Sequence, residues 1–540
     1  MLDQTFPWLT TLIVVPLLGA AVVWALPGAA RRHARSVAVA VSLLVLVLGV
    51  LAALQFDTSA SGTHQLEERA SWIPAFGVSY AVGVDGVGLA LVLLSVVLVP
   101  LVLLAAWREH PDAAAVLAEG EVEDPAALAT REGGARIRHY VALVLVLEAF
   151  MVAVFAARDV FFFYVLFEAM LIPVYFMIGG FGGLQRRYAA VKFLLFSLAG
   201  GLVMLAGVIA LYLAGPGGPE GFLIENLVGL DLPVTTERLL FLAFFLAFAI
   251  KAPMWPVHTW LPDAAEQAPA GTSVLLVGVL DKVGTFGMLT LCLPLFPDAA
   301  RWAAPAIIVL AVVSILYGAL LAIGQEDLMR LIAYTSVSHF GFIVLGIFAF
   351  TEVSTQGSSF YMVNHGLSTG ALFLLAGFLI SRRGTARISA YGGLQKVVPV
   401  MAGTFLVVGL SALSLPGLST FVSEFLVLVG TFETNKAAAV VATLGVVLAA
   451  LYILLTYQRI FTGPVRADAA VVPDLSTREK WVVGPLIAAM LVLGFYPAPA
   501  LDLVREPAEV TVTTLDADLA SAQDPAADAD SSTSEDGSDQ

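Results

Sequence analysis

Residues 160–180 read VFFFYVLFEAMLIPVYFMIGG, a run of 21 residues in which Glu168 is the one charged side chain. Twenty or so apolar residues in a helix cross the hydrocarbon of a bilayer, so this stretch predicts a transmembrane helix with a carboxylate near its middle. A charged group there costs roughly 2.5 to 3.5 kcal/mol on an insertion scale, which is not tolerated without a use. Five further long apolar stretches carry the same anomaly: Glu148 in HYVALVLVLEAFMVAVFA, Lys251 in LLFLAFFLAFAIKAPMWPV, Lys282 in GTSVLLVGVLDKVGTFGMLTLC, His339 in LMRLIAYTSVSHFGFIVLGIF and Glu424 in LPGLSTFVSEFLVLVGTF. A series of membrane-embedded acids and bases is what a proton path needs.

The composition agrees: 59% of the 540 residues are hydrophobic and 13% charged, far below the quarter charged of soluble domains. The chain reads as an all-α, polytopic membrane protein. Its net charge of −15 is concentrated at the end, where the stretch from Glu506 holds ten acids and no base. No basic surface suggests nucleic acid as a partner. The lone Cys292 excludes an intrachain disulfide and a cysteine-ligated iron–sulfur cluster, and the seven histidines show no metal-ligand spacing. No cofactor and no metal are therefore expected on this chain. The N-terminus lacks a basic n-region and a small-residue cleavage site, so it reads as a retained first helix.

Hydropathy gives fourteen spans, near 5–26, 36–54, 87–106, 138–157, 160–178, 190–213, 239–261, 270–292, 302–323, 329–350, 359–380, 399–430, 437–461 and 480–500. The seventh is interrupted by Pro253 and Pro256, the twelfth by Ser414-Leu415-Pro416-Gly417. Proline removes a backbone donor, so both helices are expected to break at membrane depth. Spans 4–8 and 9–13 each place the broken helix fourth of five, and an odd number of helices makes the second unit enter from the other side: two inverted repeats. The expected units are residues 1–137 (three helices and loops), 138–292 and 293–462 (the repeats), 463–503 (the last helix) and 504–540 (an acidic, disordered tail rich in Ala, Asp and Ser). Basic loops around Arg31-Arg32, Arg186-Arg187, Arg382 to Lys396 and Arg459 to Lys480 mark the cytoplasmic side; loops 55–86, 214–238 and 293–301, poor in Lys and Arg, go with both termini on the outer face.

Residue type then suggests chemistry. Glu168 and Lys251 form a candidate interhelical pair, Lys282 takes or relays a proton, His339 and His365 titrate in the neutral range, and Glu424 stands toward the outer exit. Tyr334, Ser336, Ser338 and Ser368 are candidate hydroxyls for the relay. Glu148 is a weaker member of the series. Against this stand structural readings: a membrane histidine can simply hydrogen-bond a neighbouring helix, and Glu168 with Lys251 can be a purely structural ion pair. The glycine-rich 179–183 is a loop, since no Gly-Lys-Ser/Thr follows, and Trp260 to Ala264 reads as a helix-ending segment acting through packing.

Several stretches together carry a family resemblance. Phe167-Glu168 to Pro173, Lys251-Ala-Pro-Met-Trp-Pro256-Val-His258-Thr-Trp260-Leu-Pro-Asp263, Leu331 to Gly341 with His339, Asn364-His365-Gly-Leu-Ser368, and Leu415-Pro416-Gly417 followed by Phe421-Val-Ser-Glu424 resemble the antiporter-like subunits of respiratory complex I. The glutamate of the twelfth span is similar to the M-type members, whose L- and N-type siblings usually carry lysine there. The resemblance runs over residues 5–500. It implies a proton-translocating module in the membrane arm of NADH:quinone oxidoreductase, in the cytoplasmic membrane of a bacterium, beside L-type and N-type subunits. It places FMN, iron–sulfur clusters and quinone on partner subunits and proton transfer on Glu168, Lys251, Lys282, His365 and Glu424, with His339 as a further relay. Three positions depart from the family pattern: Asp281 replaces an apolar residue before Lys282, Ala265 stands where the Pro-Asp-Ala-His pattern has histidine, and Asp327 to Arg330 lacks the lysine before the arginine. Other readings are a subunit of a multisubunit cation/proton antiporter or membrane-bound hydrogenase, a passive assembly subunit, and a stand-alone solute transporter.

Overall fold

The computed structural model describes residues 6–107, 125–465 and 472–523. The chain is helical almost throughout: α1 (Trp8–Ala25), α2 (Ala34–Ala53), α3 (Gly86–Ala105), α4 (Pro125–Ala156), α5 (Val160–Phe181), α6 (Arg186–Ala214), α7 (Val234–Lys251), α8 (Trp260–Gln267), α9 (Ala270–Leu295), α10 (Pro297–Ile323), α11 (Leu328–Ile347), α12 (Glu352–Arg383), α13 (Pro399–Ala412), α14 (Ser419–Thr434), α15 (Lys436–Phe461), α16 (Thr477–Phe495) and α17 (Ala498–Gln523). Polar residues at the ends set where several begin. The side chains of Asp85, Asp159 and Asp327 accept from the backbone N–H of Gly88, Phe162 and Arg330, and Thr351 with Ser354 and Ser476 with Glu479 form capping boxes.

Among the described residues, eleven helices are long and apolar enough to cross a membrane, and α16 joins them if it is counted with α17, to which it bends by 70°. The other two of the fourteen expected spans are the interrupted ones. The seventh is α7, an irregular stretch at 252–259, and α8; the twelfth is α13, a break at 413–418, and α14. The free backbone groups of these breaks are met from inside the bundle. Trp260 Nε1 donates to the Ile250 carbonyl at 2.9 Å and the Trp255 N–H donates to Ser314 Oγ at 2.9 Å. The Thr420 hydroxyl donates to the Ser411 carbonyl across the second break. Thus the two five-helix units each hold their broken helix in fourth place.

Burial separates centre from rim. Over their membrane-length windows α9 and α11 are 94% buried and α12 89%, against 39% for α1 and 28% for α2. Lys282, His339, His365 and Glu424 lie on the helices that meet at this centre, where α9 packs on α3 and α12, and α12 on α11 and α14, whereas Glu148, Glu168 and Lys251 lie on α4, α5 and α7.

Three expectations are corrected. Loop 55–86 contains an antiparallel hairpin, Gln65–Ile73 (β1) with Val78–Val84 (β2), whose Glu68 carboxylate accepts from the Leu9 N–H at 2.8 Å and whose Ser79 N–H donates to Asp159. Residues 504–523, expected in a disordered tail, continue α17, because Val504, Ala508, Val512 and Leu515 recur every three to four residues and are buried; residues 524–540 lie outside the described residues. Trp260 to Ala264 starts α8 rather than ending a helix, and its Asp263 takes ion pairs from Lys192 at 2.6 Å and Arg330 at 2.5 Å, tying α6, α8 and α11 together.

Candidate functional site

The site starts on α9, whose hydrogen-bond ladder is widened by π-turns at Leu276–Leu280 and Met288–Cys292. The Asp281 N–H reaches back five residues to the Leu276 carbonyl at 3.0 Å. Such turns inside α-helices gather at functional positions. Here the fully buried Lys282 Nζ donates to the Val277 carbonyl at 2.5 Å and meets His365 Nδ1 of α12 at 2.7 Å, with the Phe340 ring centred 5.1 Å away. Three-sided contact of this kind holds one rotamer.

From His365 the polar groups continue. Its ring lies 5.4 Å from that of His339, on α11. His339 Nδ1 bonds Tyr361 Oη at 2.6 Å, Tyr361 donates to Glu424 Oε2 at 2.7 Å, and Ser414 Oγ donates to the same oxygen at 2.5 Å. Tyr452 Oη also reaches His339 Nε2 at 3.4 Å. All these side chains are buried. Ser414 sits in the break with φ of 59°, a left-handed conformation that a non-glycine residue adopts at a cost of roughly 1 to 2 kcal/mol. That conformation aims its hydroxyl at Glu424.

The first unit is arranged differently. Lys251 ends α7 with no exposure, and its Nζ has no hydrogen-bond partner; it lies over the Phe167 ring, 4.5 Å from the centroid. Glu168 Oε1 is also buried and unbonded. The expected Glu168–Lys251 pair is therefore within Coulombic reach but not in direct contact, with the aromatic face of Phe167 against the ammonium. Glu168 instead fits against Gly201 of α6, where any Cβ would collide with its carboxylate. Gly201→Ala should displace that carboxylate and lower proton-coupled turnover by about tenfold or more. Gly180→Ala, in open space on α5, should be silent, and equal effects of the two in assembled protein would sink the assignment.

Glu148 is brought near none of the others: it is fully buried on α4 with both oxygens unbonded and no charged neighbour. Two of the four hydroxyls proposed for the relay, Ser336 and Ser338, are engaged elsewhere, and Ser368 is buried on α12. Ser336 donates to the Ile332 carbonyl of its own helix, Ser338 to the Ile315 carbonyl of α10, and the Tyr334 ring lies beneath Arg330. Tyr361, Ser414 and Tyr452 take the places expected of them. Tyr361 stands four residues before His365, one helical turn along the same face, and that spacing was the available signal. No group of three or more potential metal-ligating side chains occurs among the described residues.

A bundle with two interrupted helices and a buried line of acids, bases and hydroxyls between them defines a membrane protein of the antiporter-like class. The family model described as NADH:quinone oxidoreductase/Mrp antiporter, transmembrane, matches residues 157–451. The chain is 50% identical over 525 residues to NADH-quinone oxidoreductase subunit M of Mycobacterium tuberculosis, with 94% of each chain covered. It superimposes with a TM-score of 0.82 and 32% identity on a chain of respiratory complex I from Thermus thermophilus, covering 94% of this chain and 99% of that one. A chain of the Mrp complex from a Dietzia species shares the fold at a TM-score of 0.78 and 22% identity, with 94% and 98% covered. The chain belongs to the M-subunit family of NADH-quinone oxidoreductase.

Proposed function

We propose that this chain is a proton-pumping membrane-arm subunit of NADH:quinone oxidoreductase, moving protons from the cytoplasm to the outside as electrons pass from NADH to quinone. The observation that carries the reading is the buried series Lys282, His365, His339, Tyr361, Glu424, hydrogen-bonded on either side of a 5.4 Å step between the two imidazole rings, from the central helix to the second break. Glu168 and Lys251 supply a proton to it from the first unit. Electron transfer belongs to partner subunits that hold flavin, iron–sulfur clusters and quinone, and the immediate neighbours are the L-type and N-type antiporter-like subunits. The setting is a bacterial cytoplasmic membrane, with both termini outside. Exchange of sodium for protons in a multisubunit antiporter is the second reading, favoured only by the shared fold.

Glu168→Gln in the native host tests this. Glu168 stands at membrane depth with its Oε1 buried and unbonded, and a loss of about tenfold is expected in quinone reduction and in vesicle acidification. NADH oxidation by an artificial acceptor should persist. Unchanged pumping in an assembled complex would reduce Glu168 to a structural group; lost sodium/proton exchange with intact NADH activity would establish the second reading.

A further inference from the structure

The polar series, hydrogen-bonded except between the His365 and His339 rings, ends at Lys282 and does not reach Lys251, leaving a gap between the two units. Asp281 stands in it. Its side chain is fully buried and neither carboxylate oxygen has a hydrogen-bond partner. One turn further along the same face of α9, a Cβ on Gly284 would lie 2.5 Å from the Phe248 carbonyl and 2.6 Å from the Ala252 nitrogen, so this face presses on the end of α7 that carries Lys251. Lys282 points toward α12 instead, where a Cβ on Gly278 would lie 3.6 Å from the Gly366 carbonyl and Nζ meets His365. Consecutive residues thus address two different helices. Asp281 is within Coulombic reach of both Lys251 and Lys282.

We propose that Asp281 is a proton carrier that joins the two units, taking a proton from Lys251 and giving it to Lys282. In the first step an N–H bond of the Lys251 ammonium breaks and an O–H bond forms on the Asp281 carboxylate, leaving neutral amine and neutral acid. In the second the O–H bond breaks and an N–H bond forms on the neutral amine of Lys282, restoring the carboxylate and leaving an ammonium beside His365. Each step begins or ends with neutral partners, which a low-dielectric interior favours. The inference rests on the reading of Lys251 and Lys282 as members of a proton path.

The test uses the whole enzyme in native membranes, with Asp281→Asn and Asp281→Glu beside Glu168→Gln. Asparagine should lower quinone reduction and acidification by roughly tenfold or more, and glutamate should recover most of it. Redox-triggered infrared difference spectra should show a protonated-carboxyl C=O band that is absent from the asparagine variant. The same band, shifted by isotope-labelled aspartate in the unmodified enzyme, provides the readout should the asparagine variant fail to assemble. Parental rates in Asp281→Asn with slow Glu168→Gln would overturn the carrier while keeping the pump; parental rates in both would overturn the pump as well. A slow asparagine variant with no carboxyl band in the unmodified enzyme would make Asp281 a fixed counter-charge and overturn the proposal.

Discussion

Lys282→Met should leave an assembled NADH:quinone oxidoreductase that oxidises NADH with an artificial acceptor yet loses coupled quinone reduction and acidification by about a hundredfold. Methionine is close to lysine in length and fills an apolar site adaptably, so packing against Phe340 survives. What it removes is the proton-carrying nitrogen that bridges the Val277 carbonyl and His365. Lys282→Arg separates charge from proton transfer. A guanidinium keeps the positive charge and its donors but does not release a proton in proteins. The arginine variant should therefore be nearly as inactive as the methionine one. Normal acidification in Lys282→Arg would assign Lys282 a purely electrostatic role, and normal acidification in Lys282→Met would remove it from the path. The effect is expected to exceed that of Glu168→Gln because Lys282 is fully buried and bonded to fixed partners on either side, whereas Glu168 Oε1 has none.

The parts of this site that are legible in the sequence are those with an energetic signature independent of partners. A charge inside twenty apolar residues is anomalous wherever its neighbours lie, which is why Glu168, Lys251, Lys282 and Glu424 stand out in one chain. The prolines at 253, 256 and 416 likewise announce broken helices before any packing is known. Tyr361 and Ser414 carry no such signature: a tyrosine or serine in a membrane helix is ordinary until a second helix brings Glu424 to it. The direction of Asp281 is hidden for a different reason. Two π-turns alter the phase of α9, and a regular 3.6-residue wheel does not reproduce it. The β1–β2 hairpin is short and carries Glu67, Glu68 and Arg69, so it reads as a polar loop. Glu168 and Lys251 attract across the Phe167 ring without touching, which residue type alone does not foresee.

Arg382→Leu should be the most destabilising of the substitutions considered, because it leaves a buried carboxylate with only Arg478, at 3.6 Å, as a cationic partner. Arg382 closes α12 and donates to five oxygens: Pro473, Phe378 and Asp474 carbonyls at 2.8, 2.9 and 3.2 Å, and both oxygens of Glu479 at 3.0 and 2.6 Å. The two side chains are 9% and 6% exposed. Glu479 also receives the Ser476 N–H at 2.7 Å as part of the box that starts α16, so the arginine fastens the end of the central helix to the start of the last span. Removing one partner of such a pair costs about 3 to 5 kcal/mol. Lysine presents one point charge instead of a planar fork, so Arg382→Lys should recover less than half of that loss. The double variant Arg382→Leu with Glu479→Leu removes both charges together, and apolar replacement of a whole buried pair is often neutral. Its melting temperature in the purified complex should therefore lie closer to the parent than that of Arg382→Leu alone. A single variant that melts with the parent would show the pair to be solvated in the membrane. A double variant that melts lower than the single would show instead that the three carbonyl contacts of Arg382, rather than its charge, hold α16 in place.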